Sequence, residues 1–474
     1  MSMAPWMVEL ATAALLVLVL LADLVAPRGK RFVWPTFLGG SLVILGLAVF
    51  VRGDAFLLGG SYAADGISWL GKIVIVIGTI LAGAVPMDSL PIQEKYHGAY
   101  AALLLAASLG MMVLVSSREL VTMYVGLETS AVSLYGLAAL AKRDVLSLEA
   151  GIKYLVIGAL SSGVLLYGLA LVYAAAGTTS LDGIRAALGH APSPLSAVGI
   201  ILVLLGVGFK ITMVPMHVWT PDVYQGAPTP VSAFISVVSK SVGFLFAIRL
   251  FSVAFADLRY VWEPFFMAGA VLTMTVGNLA AIAQPSAKRL LAYSSISQAG
   301  YLLVGFVGTS SAGTSAVLFY LFAYTLANVA AFAAVIAFSS STGSDRLDDY
   351  AGLARRSPLL ALVFTFALLS LAGIPPLAGF IGKIYLFSAA MERGYLWLVV
   401  AAALNSVASL YYYLLILRRM YFTEAPLGAG PLRVSFPVKA VLLLTTVGTF
   451  WLGILPGPLM QVVSEVSSRV FPGP

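Results

Sequence analysis

The 474-residue sequence contains no cysteine. A chain without thiols can neither close a disulfide nor ligate an iron–sulfur cluster through thiolates. Charge is nearly as scarce, at 10% of residues, where a water-soluble domain carries about 25%. Hydrophobic residues make up 60%, and the mean hydropathy is +0.99. Most of the surface must therefore face something other than water. No basic run interleaved with aromatics accompanies the net charge of +7, so nucleic acid is not indicated. No G-x-G-x-x-G in a strand–helix setting suggests a dinucleotide site. A basic n-region is also missing, since Arg28, Lys30 and Arg31 follow the first apolar stretch instead of preceding it. That order is the reverse of a cleavable signal peptide and predicts a retained first helix.

What the sequence does have is long apolar runs, at roughly 4–26, 32–51, 67–85, 99–115, 120–140, 152–175 and 195–219, then 231–251, 261–283, 290–308, 314–338, 359–390, 395–417 and 438–455. Each is near the ~20 residues that a bilayer core requires. The pattern predicts an all-α polytopic membrane protein of about fourteen spans, one continuous bundle with no soluble domains. If the N-terminus lies outside, the inner connections hold Arg28, Lys30, Arg31, Lys95, Lys142, Arg143, Lys288, Arg289, Arg346, Arg355, Arg356, Arg418, Arg419 and Arg433. The outer ones hold Arg52, Arg118, Arg185, Arg259, Arg393 and Arg469. Fourteen against six obeys the positive-inside bias and puts both termini outside.

Two spans are interrupted. Residues 359–390 would form a helix of roughly 48 Å, too long for a core of about 30 Å. Their middle, GIPPLAGFIGK, carries Pro375 and Pro376, which remove backbone donors and clash with preceding carbonyls. Pro215 makes a milder break in span 7. The carbonyls freed at such breaks must face protein or trapped water.

Most charges within the spans have a plain reading. Lys72, Arg249 and Lys439 lie near span ends, where long side chains reach the interface. Lys153 follows Glu149 by four residues, so a structural pair and a proton path are equally open to it. Glu128, Lys210, Lys240 and Lys383 are different, each lying several turns from an interface. A mid-membrane charge costs about 2.5–3.5 kcal/mol. Four together cost on the order of 10 kcal/mol, comparable to the net stability of a whole protein. Three lysines and one glutamate cannot all pair. A buried lysine whose partner can approach or withdraw is a proton carrier of adjustable affinity. His217, seven residues beyond Lys210, would share its face on an unbroken helix and is a possible relay. The lysine-bearing breaks of spans 7 and 12 are five helices apart, the odd offset that an inverted repeat needs.

The stretches VGLETSAVSLYGL, GVGFKITMVPMHVWTPDVYQGAPTPVSAFISVVSK and LAGIPPLAGFIGKIYLF resemble the antiporter-like membrane subunits of respiratory complex I, NADH-quinone oxidoreductase. The nearest branch is subunit N, and the likeness runs along essentially the whole chain. It implies fourteen helices: an N-terminal set in 1–96, inverted repeats in 97–255 and 256–420, and a C-terminal helix in 421–474. It also implies roles. Glu128 would partner Lys210 on broken helix 7, Lys240 would connect the halves, and Lys383 on broken helix 12 would be the terminal site. Glu149, Lys153 and His217 would flank the path, with Pro215, Pro375 and Pro376 as the breaks. Subunit M carries a glutamate where Lys383 stands, and subunit L has a long lateral helix for which nothing remains after Arg469. The implied function is proton pumping driven by electron transfer from NADH to quinone. NADH, FMN, iron–sulfur clusters and quinone would sit in partner subunits, with no cofactor or metal in this chain. Its partners would be the other membrane subunits and, through them, the peripheral redox arm, in a bacterial inner membrane. The related alternatives are a subunit of a multi-subunit sodium/proton antiporter and the homologous subunit of a ferredoxin-dependent photosynthetic complex.

Overall fold

The computed structural model describes residues 6–25, 32–53, 55–84, 92–189, 193–308, 310–426, 428–432 and 434–470. Arg28, Lys30, Arg31 and Arg433, which entered the charge bias, lie outside the described residues. Among the described residues, twelve helices are long and apolar enough to cross a membrane. Two shorter apolar helices, Pro194–Lys210 and Pro358–Ala372, begin the two interrupted spans. Counted with their continuations, Thr220–Gly226 and Ala378–Glu392, they complete the fourteen expected spans. Spans 8, 10 and 11 are enclosed on nearly all sides, whereas spans 1, 2, 6, 13 and 14 leave most of their residues uncovered. Apolar all round and uncovered is the surface a bilayer requires.

Local chemistry fixes the ends. Asp65 caps span 3 (Gly66–Gly83) in a reciprocal box with Ser68. Glu119 accepts from the Val121 and Thr122 amides at the start of span 5 (Leu120–Ala138). Such caps satisfy donors that have no partner inside the helix. Spans 4 (His97–Ser116) and 5 approach so closely that a Cβ on Gly126 would lie 2.7 Å from the Leu114 amide nitrogen. Spans 9 (Arg259–Ile282) and 10 (Ala287–Val307) do the same, with Gly277 against the Ser297 backbone at 2.7 Å. Small residues of this kind let membrane helices pack backbone to backbone.

The two halves match in other ways. Span 6 (Val145–Ala176) and span 11 (Ser311–Thr342) are each 32 residues long and end on left-handed glycines, Gly177 and Gly343. An isolated bridge joins Glu119 to Ser180 across spans 5 and 6, and another joins Ser286 to Arg346 across spans 10 and 11. The ion pairs fall into two groups at opposite ends of the spans. Arg118–Asp182, Arg185–Asp257 and Arg249–Asp65 lie among residues of one side, and Lys153–Asp222 and Arg289–Asp222 among those of the other.

Three elements were not expected from hydropathy. A hairpin pairs β1 (Ala55–Leu57) with β2 (Tyr62–Ala64). Amphipathic helices occupy Leu181–Leu188 and Gly457–Val470. Spans 6 and 11 also run past the expected 152–175 and 314–338, because polar residues such as Ser147 and Glu149 at the start of span 6, and Ser311 and residues 339–342 at the ends of span 11, interrupt the apolar runs.

Candidate proton-translocation site

Helix Pro194–Lys210 stops at Lys210 itself. The chain then passes through Thr212, at φ 62°, and a cis Val214–Pro215 bond before the helix resumes at Thr220. Lys210 is buried, and its Nζ lies 3.5 Å from Ser130 Oγ on span 5, a long contact by hydrogen-bond standards. It borders a cavity of about 20 Å³ lined by Tyr135, Tyr154, Ser161 and Ser162, room for about one water. Glu128, half-buried on span 5, accepts a hydrogen bond from Ser162. No ion pair joins Glu128 to Lys210 among the described residues, where Glu128 meets Ser162 and Lys210 meets Ser130.

Lys240 is also buried. Its ammonium donates to the Ser295 carbonyl and, at 2.5 Å, to Ser295 Oγ on span 10. Ser295 Oγ is 2.8 Å from Tyr324 Oη, which donates to the Ser236 carbonyl at 3.0 Å. Asn328 Nδ2 reaches both Tyr324 Oη (3.1 Å) and Ser236 Oγ (2.7 Å). One residue from Ser295, Ser294 Oγ meets Tyr413 Oη at 2.5 Å. Gln298 then links Tyr413 to the Leu371 carbonyl at the break of span 12. Two hydrogen-bonded polar clusters, one around Ser295 and one around Ser294 and Tyr413, thus lie between Lys240 and the break that carries Lys383.

At that break Gly373 takes a left-handed turn (φ 87°) and Pro375–Pro376 is cis. The last carbonyl before the break, Ala372, is one of those left without an intrahelical donor. It accepts from Lys383 Nζ at 2.9 Å and from Ser406 Oγ at 3.1 Å. Lys383 also donates to Ser406 Oγ at 2.9 Å and lies 4.3 Å from the Tyr301 ring centroid. Both intramembrane breaks thus carry a buried lysine, one at the end of a half-helix and one folded back onto it.

Lys153 pairs with Glu149 and with Asp222 Oδ2, each at 2.6 Å, and Arg289 binds the other Asp222 oxygen at 2.7 Å. The expected i, i+4 pair therefore exists, inside a larger cluster that also takes in Gln225. His217 departs from the expected geometry. The helix is interrupted between it and Lys210, so they share no helical face, and its Nδ1 is buried without a partner.

Lys72 and Arg249 also depart from expectation, because neither reaches for an interface. Lys72 is buried against Glu9 at 2.8 Å and Tyr62 Oη at 2.7 Å. Arg249, 1% exposed, grips both oxygens of Asp65 and the Val115 carbonyl. Lys439 is exposed in the first turn of span 14 (Phe436–Ile454), as expected of an interfacial lysine. Among the residues that hold the central charges, Ser295 belongs to the polar residues that recur in the later spans of the sequence, whereas Ser130, Ser162, Tyr324 and Ser406 do not stand out there. Serine and tyrosine recur throughout the spans, and only the fold selects among them.

Residues 117–409 match the family model described as NADH:quinone oxidoreductase/Mrp antiporter, transmembrane. The chain belongs to this family. Within it, the chain is 46% identical to NADH-quinone oxidoreductase subunit N of Moorella thermoacetica, over 98% of each chain. It is 43% identical to NAD(P)H-quinone oxidoreductase subunit 2 of Prochlorococcus marinus, over 85% of this chain and 79% of that one. Among solved structures, a chain of respiratory complex I from Thermus thermophilus superposes with a TM-score of 0.83 at 35% identity, covering 97% of this chain and all of that one. A chain of the Mrp complex from a Dietzia species shares the fold, with a TM-score of 0.87 at 24% identity and 99% and 98% coverage. The family match, the apolar spans and the buried break lysines describe one object, a multi-pass membrane subunit of a larger complex.

Proposed function

We propose that this chain is the proton-translocating subunit N of an NADH-quinone oxidoreductase. The observation that carries the reading is the pair of breaks, each with a buried lysine, with buried Lys240 and hydrogen-bonded polar clusters between them, in a chain aligned end to end with subunit N. Residues 97–255 and 256–420 act as two inverted repeats, between an N-terminal set (1–96) and a C-terminal helix (421–474). Glu128 modulates Lys210, Lys240 links the halves, and Lys383 is the terminal site. Glu149, Lys153, Asp222 and Arg289 form the charged margin on the inner side. Both termini face outward across a bacterial inner membrane, with the Lys- and Arg-rich loops inside.

No redox centre is needed in this chain. NADH, FMN, iron–sulfur clusters and quinone belong to partner subunits, reached through neighbouring membrane subunits. A charge displacement delivered by a neighbour moves Glu128 relative to Lys210, and a carboxylate's approach or withdrawal changes how readily a lysine holds a proton. The serine and tyrosine hydroxyls of the clusters between the lysines can both donate and accept, so they can take up or release a proton toward either neighbour.

Extraction of the native complex, identification of its subunits by mass spectrometry and assay of NADH-driven pumping test the reading. It predicts co-purification with cluster-bearing subunits. Recovery with small antiporter subunits, and sodium/proton exchange without an electron donor, would contradict it.

A further inference from the structure

Span 8 is not a uniform helix. Its α-helical middle, Lys240–Arg249, is bounded by π-helical turns at Ile235–Ser239 and Leu250–Ala254. A π turn takes up an extra residue and interrupts the regular ladder, and such turns concentrate at functional sites. Between two of them, the rotation and height of a ten-residue segment are set by what it touches.

It touches both central lysines. Lys240, its first residue, is bonded to Ser295. One turn later Gly243 faces Lys210, where a Cβ would lie 3.2 Å from Lys210 Cγ and 3.4 Å from its carbonyl oxygen. Its last residue, Arg249, holds Asp65 Oδ1 at 2.6 Å, Asp65 Oδ2 at 2.9 Å and the Val115 carbonyl at 2.6 Å. Asp65 is itself fixed as the cap of span 3. Burial opposes charge on Asp65, but Arg249 beside it holds the carboxyl below the usual carboxylate range, so Asp65 is a carboxylate at neutral pH. A bidentate guanidinium–carboxylate pair fixes direction as well as distance.

We propose that Arg249 is a positioning residue: by clamping the far end of the Lys240–Arg249 segment to spans 3 and 4, it sets where that segment holds Lys240 and Lys210. The clamp lies about 13.5 Å along the helix from Lys240 and borders an outer cavity of about 370 Å³ shared with Arg118, Asp182 and Arg185. It handles no proton itself. The inference rests on the proton-handling roles proposed above for Lys210 and Lys240.

The test uses the whole complex carrying Arg249→Lys, Arg249→Met, Asp65→Asn or Lys240→Ala, reconstituted in vesicles. Protons moved per NADH are measured on equal amounts of assembled complex, and hydrogen exchange is followed in peptides spanning 240–249. Arg249→Met is expected to lower the proton ratio about two-fold. Arg249→Lys, which keeps charge without the fork, is expected to fall between it and the wild type, and Asp65→Asn to follow Arg249→Met. Exchange in 240–249 should quicken in all three. Adding Lys240→Ala to Arg249→Met should cost no more than Lys240→Ala alone. Assembled Arg249→Met with an unchanged ratio and unchanged exchange, beside a Lys240→Ala that does lower the ratio, would overturn the proposal. If Arg249→Met fails to assemble, the same two readouts on Arg249→Lys and Asp65→Asn decide it. A Lys240→Ala complex that pumps normally would instead overturn the functional reading, while hydrogen exchange would still report on the clamp.

Discussion

At the scale of single residues, the buried cations are satisfied unequally. Lys383 has a carbonyl, a hydroxyl and an aromatic face, and Lys240 has two oxygens of one serine. Lys210 has one long contact and borders a cavity of about 20 Å³. Lys210 is therefore the least firmly held of the three lysines. Pumping should rank wild type, then Glu128→Asp, then Glu128→Gln, with Lys210→Ala at least as severe as Gln. A loss of about ten-fold for Gln corresponds to a coupling of ~1.4 kcal/mol. The double variant Glu128→Gln with Lys210→Ala should be little worse than Lys210→Ala alone; fully additive losses in vesicle pumping would show that the two do not act together. The four central charges stood out in the sequence because nearly everything around them is apolar. Lys72 and Arg249 were misjudged because closeness to a span end reveals nothing of partners far along the chain. Asp65 lies 184 residues from Arg249, and only the folded bundle brings them together.

At the scale of elements, the breaks are shaped from outside as well as by their own prolines. Gly453 on span 14 presses on the break of span 12, where a Cβ would meet the Pro376 carbonyl and lie 2.7 Å from Leu377 C. Backbone cannot yield as a flexible side chain can. Gly453→Ala should therefore destabilise this packing by about 1–3 kcal/mol, read as a lower melting temperature of the purified complex. Gly457→Ala, which meets open space, should leave it unchanged; equal behaviour of the two would refute the packing argument. Gly243→Ala asks more of the site than of the fold. Its Cβ would sit 3.0 Å from Ile211 Cγ2 and 3.2 Å from Lys210 Cγ, so the lysine must shift by a few tenths of an ångström. About a two-fold loss of pumping at normal assembly is expected, and wild-type pumping would show that the contact carries no function. Prolines and long apolar runs made the breaks and spans legible in advance. The hairpin at Ala55–Ala64 and the helix Gly457–Val470 were not, since short or polar-faced elements leave little trace in hydropathy. The π turns of span 8 were hidden for another reason: a helix buried all round has no apolar stripe whose drift would reveal an added residue.

At the scale of the whole molecule, the enclosed interior holds buried charges while the uncovered faces of the outer spans are apolar. Spans 8, 10 and 11 carry the hydrogen bonds from Lys240 through Ser295 and Tyr324, and the uncovered spans face outward around them. Such a chain stores and passes charge but needs an energy source, which the proposed function places in its partners. The central claim is that this interior moves protons, with Lys383 as its terminal site. The most direct measurement is the number of protons translocated per NADH oxidised by complexes with and without Lys383→Ala, reconstituted at equal assembled amounts. The account predicts that the variant assembles largely intact while its pumping and coupled turnover fall clearly below the wild type. Wild-type proton translocation by assembled Lys383→Ala, or a loss of activity that only mirrors a loss of assembly, would contradict it.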